Sequence, residues 1–198
     1  MPFSKEYIDL NLQDANIKYY PSFFNKEISD YYFERLKQNI KWQHDSITLF
    51  GKTHLQPRLT ALYGNNEKSY TYSNITMHPK IFTKDLLKIK EFVEKHLKVK
   101  FTSCLANLYR DGQDSNGWHA DDEKELCEEP IIASVSFGTE RVFHFKHKLD
   151  KNLKIKLVLE HGSLLMMKGT TQKFWLHQLP KTKRKIGSRI NLTFRIIQ

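Results

Sequence analysis

Only two cysteines, Cys104 and Cys127, occur in 198 residues. They cannot build the disulfide framework of a small secreted protein, and such sparing use of thiols fits a reducing compartment. No Cys-x-x-Cys pair of the kind that structural zinc sites use is present. Glycine and proline are also scarce, at 8 and 6 residues. They gather into no linker or low-complexity tract, and the chain has no internal repeat, so a single domain over residues 1–198 is expected. No segment approaches the roughly 20 consecutive apolar residues of a membrane helix. The opening Met1-Pro2-Phe3-Ser4-Lys5-Glu6 lacks the apolar run and small-residue cleavage site of a secretory signal. Acidic residues are in deficit too: 22 against 32 Lys and Arg, a formal charge of +10 and a pI near 9.5. That imbalance favours a polyanionic partner through long-range attraction and counterion release, although a solvated lysine-rich surface has the same composition. The expectation is a soluble intracellular monomer with no membrane partner, nuclear if eukaryotic and cytoplasmic if bacterial.

Hydrophobic residues make up 39% of the chain and aromatics 13%, enough for a packed core. Two segments have helical spacing. One starts at the capping residue Asn25 and carries Ile28, Tyr32, Phe33, Leu36 and Ile40; the other starts at Lys84 and carries Leu86, Ile89, Phe92, Val93 and Leu97. The second half reads as strands: Ile131 to Phe137, an alternating run through Val142, His144 and Lys146, another from Leu153 to Leu159, and Leu164 to Met167 after Gly162-Ser163. In the last strand, Arg189 to Arg195, the residues Arg189, Asn191, Thr193 and Arg195 share one face and Ile190, Leu192 and Phe194 the other. An exposed edge could show this alternation. Equally, two guanidinium forks flanking two hydrogen-bonding residues form a cradle for carboxylates.

Trp118-His119-Ala120-Asp121 sets an imidazole and a carboxylate two residues apart, which on an extended strand places both on one side. By itself His-x-Asp is weak evidence in a chain with nine histidines. His177 supplies a third ligand if a barrel brings its strand alongside. Two His and one carboxylate on one face of an ion leave three positions open, the arrangement of non-haem Fe(II) oxygenases. Zinc is the competing metal.

Taken together and in order, Asn107-Leu-Tyr109-Arg-Asp-Gly, Trp118-His-x-Asp-Asp122-Glu, Pro130 to Gly138, His161-Gly-Ser-Leu-Leu-Met-Met, Trp175-x-His177 and Arg189-x-Asn-x-Thr-x-Arg195 resemble the AlkB family. The resemblance is to its animal-type DNA-repair members, which reverse 1-methyladenine and 3-methylcytosine. It runs from about Ile47 to the C-terminus and includes Gln56-Pro-Arg58, Tyr63-Gly64 and Tyr70-Thr-Tyr72-Ser73.

The resemblance implies an α+β, mainly β fold: a double-stranded β-helix, or jelly roll, over about residues 100–198, with flanking helices and an N-terminal nucleotide-recognition lid over about residues 45–75. It implies a dioxygenase that uses Fe(II), O2 and 2-oxoglutarate to dealkylate DNA bases, releasing formaldehyde, succinate and CO2. His119, Asp121 and His177 match the iron ligands. Arg189 and Tyr109 match the partners of the distal carboxylate of 2-oxoglutarate, and Asn107 and Arg195 those of its iron-side carboxylate, with Asn191 and Thr193 in support.

Tyr70, Tyr72, Ser73, Asp122 and Glu123 match the base pocket. A methylated base is a flat cation, which aromatic faces stack on and carboxylates offset, though strand packing and a solvated acidic surface are the ordinary fates of these residue types. Leu49-Phe50-Gly51-Lys52 resembles a hairpin finger that fills the gap left by a flipped base, with Arg58 nearby on the backbone; the other reading of Phe50 is core packing. The basic run Lys181 to Lys185 could contact phosphates, direct nuclear import or form a solvated loop. RNA demethylation, protein hydroxylation and an inert nucleic-acid-binding module are the alternatives, and the base-pocket aromatics argue against a protein substrate.

Overall fold

The computed structural model describes residues 6–49, 52–65, 70–72 and 75–197. Phe50, Gly51 and Ser73 lie outside the described residues. In chain order the elements are β1 (Ile8–Asp9), β2 (Asn16–Tyr20), α1 (Lys26–Asn39), β3 (Ser46–Leu49), β4 (Lys52–Leu55), β5 (Leu59–Gly64), β6 (Tyr70–Tyr72), β7 (Ile75–Met77) and α2 (Lys84–Leu97). There follow β8 (Ser103–Tyr109), β9 (Asn116–His119), β10 (Ile132–Gly138), β11 (Arg141–His147), β12 (Lys154–Leu159), β13 (Ser163–Lys168), α3 (Thr171–Phe174), β14 (Trp175–Leu179) and β15 (Arg189–Arg195).

The helices α1 and α2 begin where a side chain accepts a backbone N–H that has no partner within the helix. Asn25 Oδ1 accepts from Ile28 N at 2.9 Å, and Thr83 Oγ1 accepts from Leu86 N at 3.3 Å, one residue before the start that the periodicity predicts. Their apolar stripes join one cluster with Ala133, Val135, Phe137, Leu164, Ile190, Leu192 and Phe194 from one face of a seven-stranded antiparallel sheet, ordered β1-β2-β13-β10-β15-β8-β5. Across its opposite face lies a four-stranded antiparallel sheet, β12-β11-β14-β9, and Ile132, Leu165 and Met167 of the large sheet meet Phe145, Leu159 and Trp175 of the small one. Two sheets enclosing a core, with helices on one side, constitute the expected mainly β jelly roll.

The alternation of β15 has its explanation here. The strand is central, pairing β10 on one side and β8 on the other, and all seven of its residues are buried. Its apolar residues face the helices and its polar ones face the space between the sheets, so the exposed-edge reading does not hold. The main sheet also recruits residues from before position 100: β2 pairs β13 and β5 pairs β8. β3 and β4 form a hairpin with Leu49 opposite Lys52, and β6 and β7 a second with Tyr70 opposite Met77 and Tyr72 opposite Ile75. Among the described residues no helix is long and apolar enough to cross a membrane.

Candidate metal and cosubstrate site

β9 and β14 are antiparallel neighbours with His119 and His177 in register, so two residues 58 positions apart share one rung of the small sheet, their ring centroids 4.3 Å apart. Asp121 lies two residues past the end of β9. The extended His-x-Asp expected from the sequence is therefore a strand end and a bend, and the chain turns inward to bring the carboxylate to the imidazoles. One ligand atom from each of His119, Asp121 and His177 lies within 4.8 Å of the others.

Second contacts orient each donor. Gly117 O accepts a hydrogen bond from His119 Nδ1 at 2.8 Å, which leaves the Nε2 lone pair for a metal, with Asn116 Nδ2 at 3.2 Å from it. The backbone N–H of Asp121 donates to Gln172 Oε1 at 2.9 Å, and the Asp121 carboxylate accepts from Arg195 Nη2. Burial pushes the Asp121 carboxyl up, but the charge of Arg195 and the neighbouring imidazoles outweigh it and hold the group at about 2. Burial and the adjacent His119 push His177 down to about 3, keeping it neutral and able to donate a lone pair. An ionised carboxylate and neutral imidazoles are what a divalent ion requires. The three donors fit iron(II) with room for further ligands, and the absence of thiolates disfavours a structural zinc site.

Beside this cluster, β15 and β8 build a polar wall. Arg189 stands opposite Tyr109, its guanidinium carbon 5.3 Å from the ring centre, and Asn191 stands opposite Asn107. Arg189 Nη2 donates to Ser136 Oγ at 2.9 Å, Asn191 Nδ2 to Ser134 Oγ at 2.7 Å, and Thr193 Oγ1 to Asn191 Oδ1 at 3.0 Å. Burial, reinforced by the nearby Arg141 charge and opposed by Tyr109, lowers the Arg189 guanidinium to about 10. Its Nε has no hydrogen-bond partner among the described residues. A buried cation with an unused donor, in the cavity that also holds His119, Asp121 and His177, is complementary to a carboxylate-bearing cosubstrate.

A match to the 2OG-Fe(II) oxygenase superfamily spans residues 16–195. The human protein named alpha-ketoglutarate-dependent dioxygenase alkB homolog 3 is 40% identical over 187 residues, covering 90% of this chain and 65% of that protein. Mouse DNA oxidative demethylase ALKBH2 is 39% identical over 188 residues, covering 90% of this chain and 79% of that protein. The chain belongs to the AlkB family of 2OG-Fe(II) oxygenases. It spans a little under two thirds of the length of the mammalian alkB homolog 3 proteins that it matches. The solved structure of OsALKBH1 shares the fold, with a TM-score of 0.67 at 18% identity, covering 96% of this chain and 100% of that one.

Within this AlkB-family chain the remaining candidates are distributed unevenly. Arg58 is buried and donates through Nε to Asn107 Oδ1 at 2.9 Å and through Nη1 to Ser115 O at 3.3 Å. It therefore braces a wall residue of the cavity, in place of the position along a nucleic-acid backbone that the family resemblance implies. Asp122 is exposed and lies 3.3 Å from Lys148 Nζ, and Glu123 is half-buried. Tyr70 and Tyr72 stand in β6, away in sequence from the strands of the cavity.

Several residues that shape the site carried no signal strong enough to single them out. Ser134 and Ser136 alternate on β10 just as the polar residues of β15 do, and that periodicity could have found them. Gln172, Asn116 and Phe143, whose ring centre is 5.3 Å from that of His177, have no such pattern.

Proposed function

We propose that this chain repairs DNA by oxidatively removing alkyl groups from N-alkylated bases such as 1-methyladenine and 3-methylcytosine, with Fe(II), O2 and 2-oxoglutarate. The observation that carries the reading is the convergence of His119, Asp121 and His177 with the unpaired Arg189 donor in one buried cavity. The names of relatives near 40% identity, which include a DNA oxidative demethylase, support the substrate class.

In this reading, His119, Asp121 and His177 hold the iron, which supplies the oxidising chemistry on O2 that the side chains lack. Arg189, over Tyr109, takes the distal carboxylate of 2-oxoglutarate; Asn107, braced by Arg58, and Arg195 face the other end, with Asn191 and Thr193 fixing the wall between. Ser134 and Ser136 supply hydrogen bonds that hold this wall. Tyr70, Tyr72, Ser73, Asp122 and Glu123 serve the flipped base, with the carboxylates offsetting its positive charge. Phe50, which follows β3 in sequence, is the residue that fills the vacated stack. The segment over about residues 45–75 thus acts as a recognition lid, although its β5 is also an edge strand of the main sheet.

The test is to offer the iron-loaded protein a panel of DNA and RNA oligonucleotides, single- and double-stranded, each with one defined lesion. Methyl loss is followed by mass spectrometry. Turnover of 2-oxoglutarate without loss from any N-methylated base would refute the substrate assignment.

A further inference from the structure

Arg141, the first residue of β11, is buried, and its guanidinium serves no carboxylate among the described residues. Instead it donates to three backbone carbonyls: Nη1 to Asp111 O at 3.1 Å, and Nη2 to Asp114 O at 3.1 Å and Pro180 O at 2.6 Å. Those carbonyls belong to two separate connections. The first links β8, with Asn107 and Tyr109, to β9, with His119; the second links β14, with His177, to β15, with Arg189. The two connections also interlock directly. Thr182 N donates to Gly112 O at 2.8 Å, Gln113 Nε2 donates to Thr182 O at 3.0 Å, and a Cβ on Gly112 would lie 2.7 Å from Thr182 O.

One charged side chain thus clasps both crossings of the barrel at the end where Arg189 faces Tyr109, and Gly138, three residues before Arg141, is in register with Arg189. Arg195 has Asp121 as its counter-charge, but Arg189 and Arg141 have no ion-pair partner among the described residues. Arg141 feels the charges of Asp114 and Asp111 without pairing with either carboxylate, while its own charge bears on Arg189, and the arrangement becomes more favourable when a dianion brings its far carboxylate between the sheets.

We propose that Arg141 is a positioning residue for the cosubstrate: it pins the two connections that adjoin Tyr109 and Arg189, and its buried charge makes the cavity select a dicarboxylate over a 2-oxo acid lacking the distal group. The inference rests on the reading that Arg189 and Tyr109 receive that distal carboxylate. It adds a residue that touches neither metal nor cosubstrate.

The experiment compares 2-oxoglutarate with 2-oxopentanoate, which has a methyl in place of the distal carboxylate, by thermal-shift titration of the iron-loaded protein without O2. Arg141→Gln retains hydrogen-bond donors and removes the charge. It should weaken 2-oxoglutarate binding about tenfold and leave 2-oxopentanoate within about twofold, so that the preference collapses. Equal weakening of both ligands would show Arg141 to be a general structural brace, and no weakening of either would show it idle; each outcome overturns the proposal.

Arg189→Ala is titrated in parallel. If it leaves 2-oxoglutarate binding unchanged, the cradle itself has been misread; if it loses binding while Arg141→Gln keeps the wild-type preference, only the role of Arg141 falls. Should Arg141→Gln fail to fold, Arg141→Lys keeps the charge but not the three-way fork. Amide exchange should then quicken in both 110–115 and 180–188 and slow again on adding 2-oxoglutarate. Unchanged exchange in either segment would overturn the proposal.

Discussion

Arg195 reaches across the sandwich from the last strand to donate its Nη2 hydrogen to the carboxylate of Asp121, 74 residues earlier in the chain. Both residues are almost wholly buried, so the pair joins the polar wall of β15 to the cluster of His119, Asp121 and His177 out of contact with bulk water. A buried carboxylate next to a fixed guanidinium remains ionised where burial alone would protonate it.

This contact gives the first prediction. Arg195→Gln removes the largest influence that lowers the Asp121 carboxyl from the balance that now holds it at about 2, and burial then raises it. Wild-type Asp121 is a carboxylate at every pH well above that value. In the variant, proton and metal compete from a higher pH, so iron affinity should fall on acidification through a window where the wild type is still constant. Fe(II) binding isotherms between pH 5 and 8 provide the check, and parallel pH profiles would contradict the assignment.

His119→Ala, Asp121→Ala and His177→Ala should each abolish turnover and leave the circular dichroism spectrum largely intact. A site with three protein donors has none to spare. Activity above about a tenth of wild type at saturating iron, in any of the three, would exclude that residue as a ligand, because loss of a metal ligand ordinarily costs far more.

Gln172→Leu tests the support behind Asp121. The change keeps a side chain of moderate size but leaves the Asp121 N–H without its acceptor, which costs about 1 to 3 kcal/mol for a buried donor. Metal affinity should fall roughly 10- to 100-fold, as is usual when an outer partner of a ligand is lost. Metal titration by calorimetry would show this even if the fold tolerates the change.

Arg189→Ala should raise the 2-oxoglutarate requirement by two orders of magnitude or more, since removing one partner of a buried charge pair costs about 3 to 5 kcal/mol. The effect on DNA affinity should be much smaller. Steady-state titration of 2-oxoglutarate at fixed DNA, with DNA binding measured separately, distinguishes the two.

Phe50→Ala should slow repair of lesions in duplex more than in single strands, with a difference of about 1 to 3 kcal/mol, the worth of a stacked aromatic ring. Matched substrates timed at one salt concentration give the comparison, and equal losses on both would assign Phe50 to packing.

Much of this architecture was legible before any coordinate. The periodicity from Asn25 and from Lys84 marked α1 and α2 to within a residue or two of their observed starts, because a capped amphipathic helix announces itself locally. The alternation in Arg189 to Arg195 separated the face that meets the helices from the face that lines the cavity, and the ordered motifs pointed to the family and to His119, Asp121 and His177, which the fold brings together. What the one-dimensional pattern could not supply was anything that depends on two distant segments meeting. The resemblance puts Arg58 beside a nucleic-acid backbone, and only the packing of β5 against β8 turns it inward to Asn107. Gln172, an unremarkable residue in a four-residue helix, matters because that helix lies against the bend at Asp121. Arg141 gains its role from three carbonyls in two connections that the barrel closure brings together. Side-chain type and spacing determine which face is polar and which atoms could bind a metal; long-range strand register decides which buried donor meets which acceptor, because a buried polar group must find its partner wherever the fold places one.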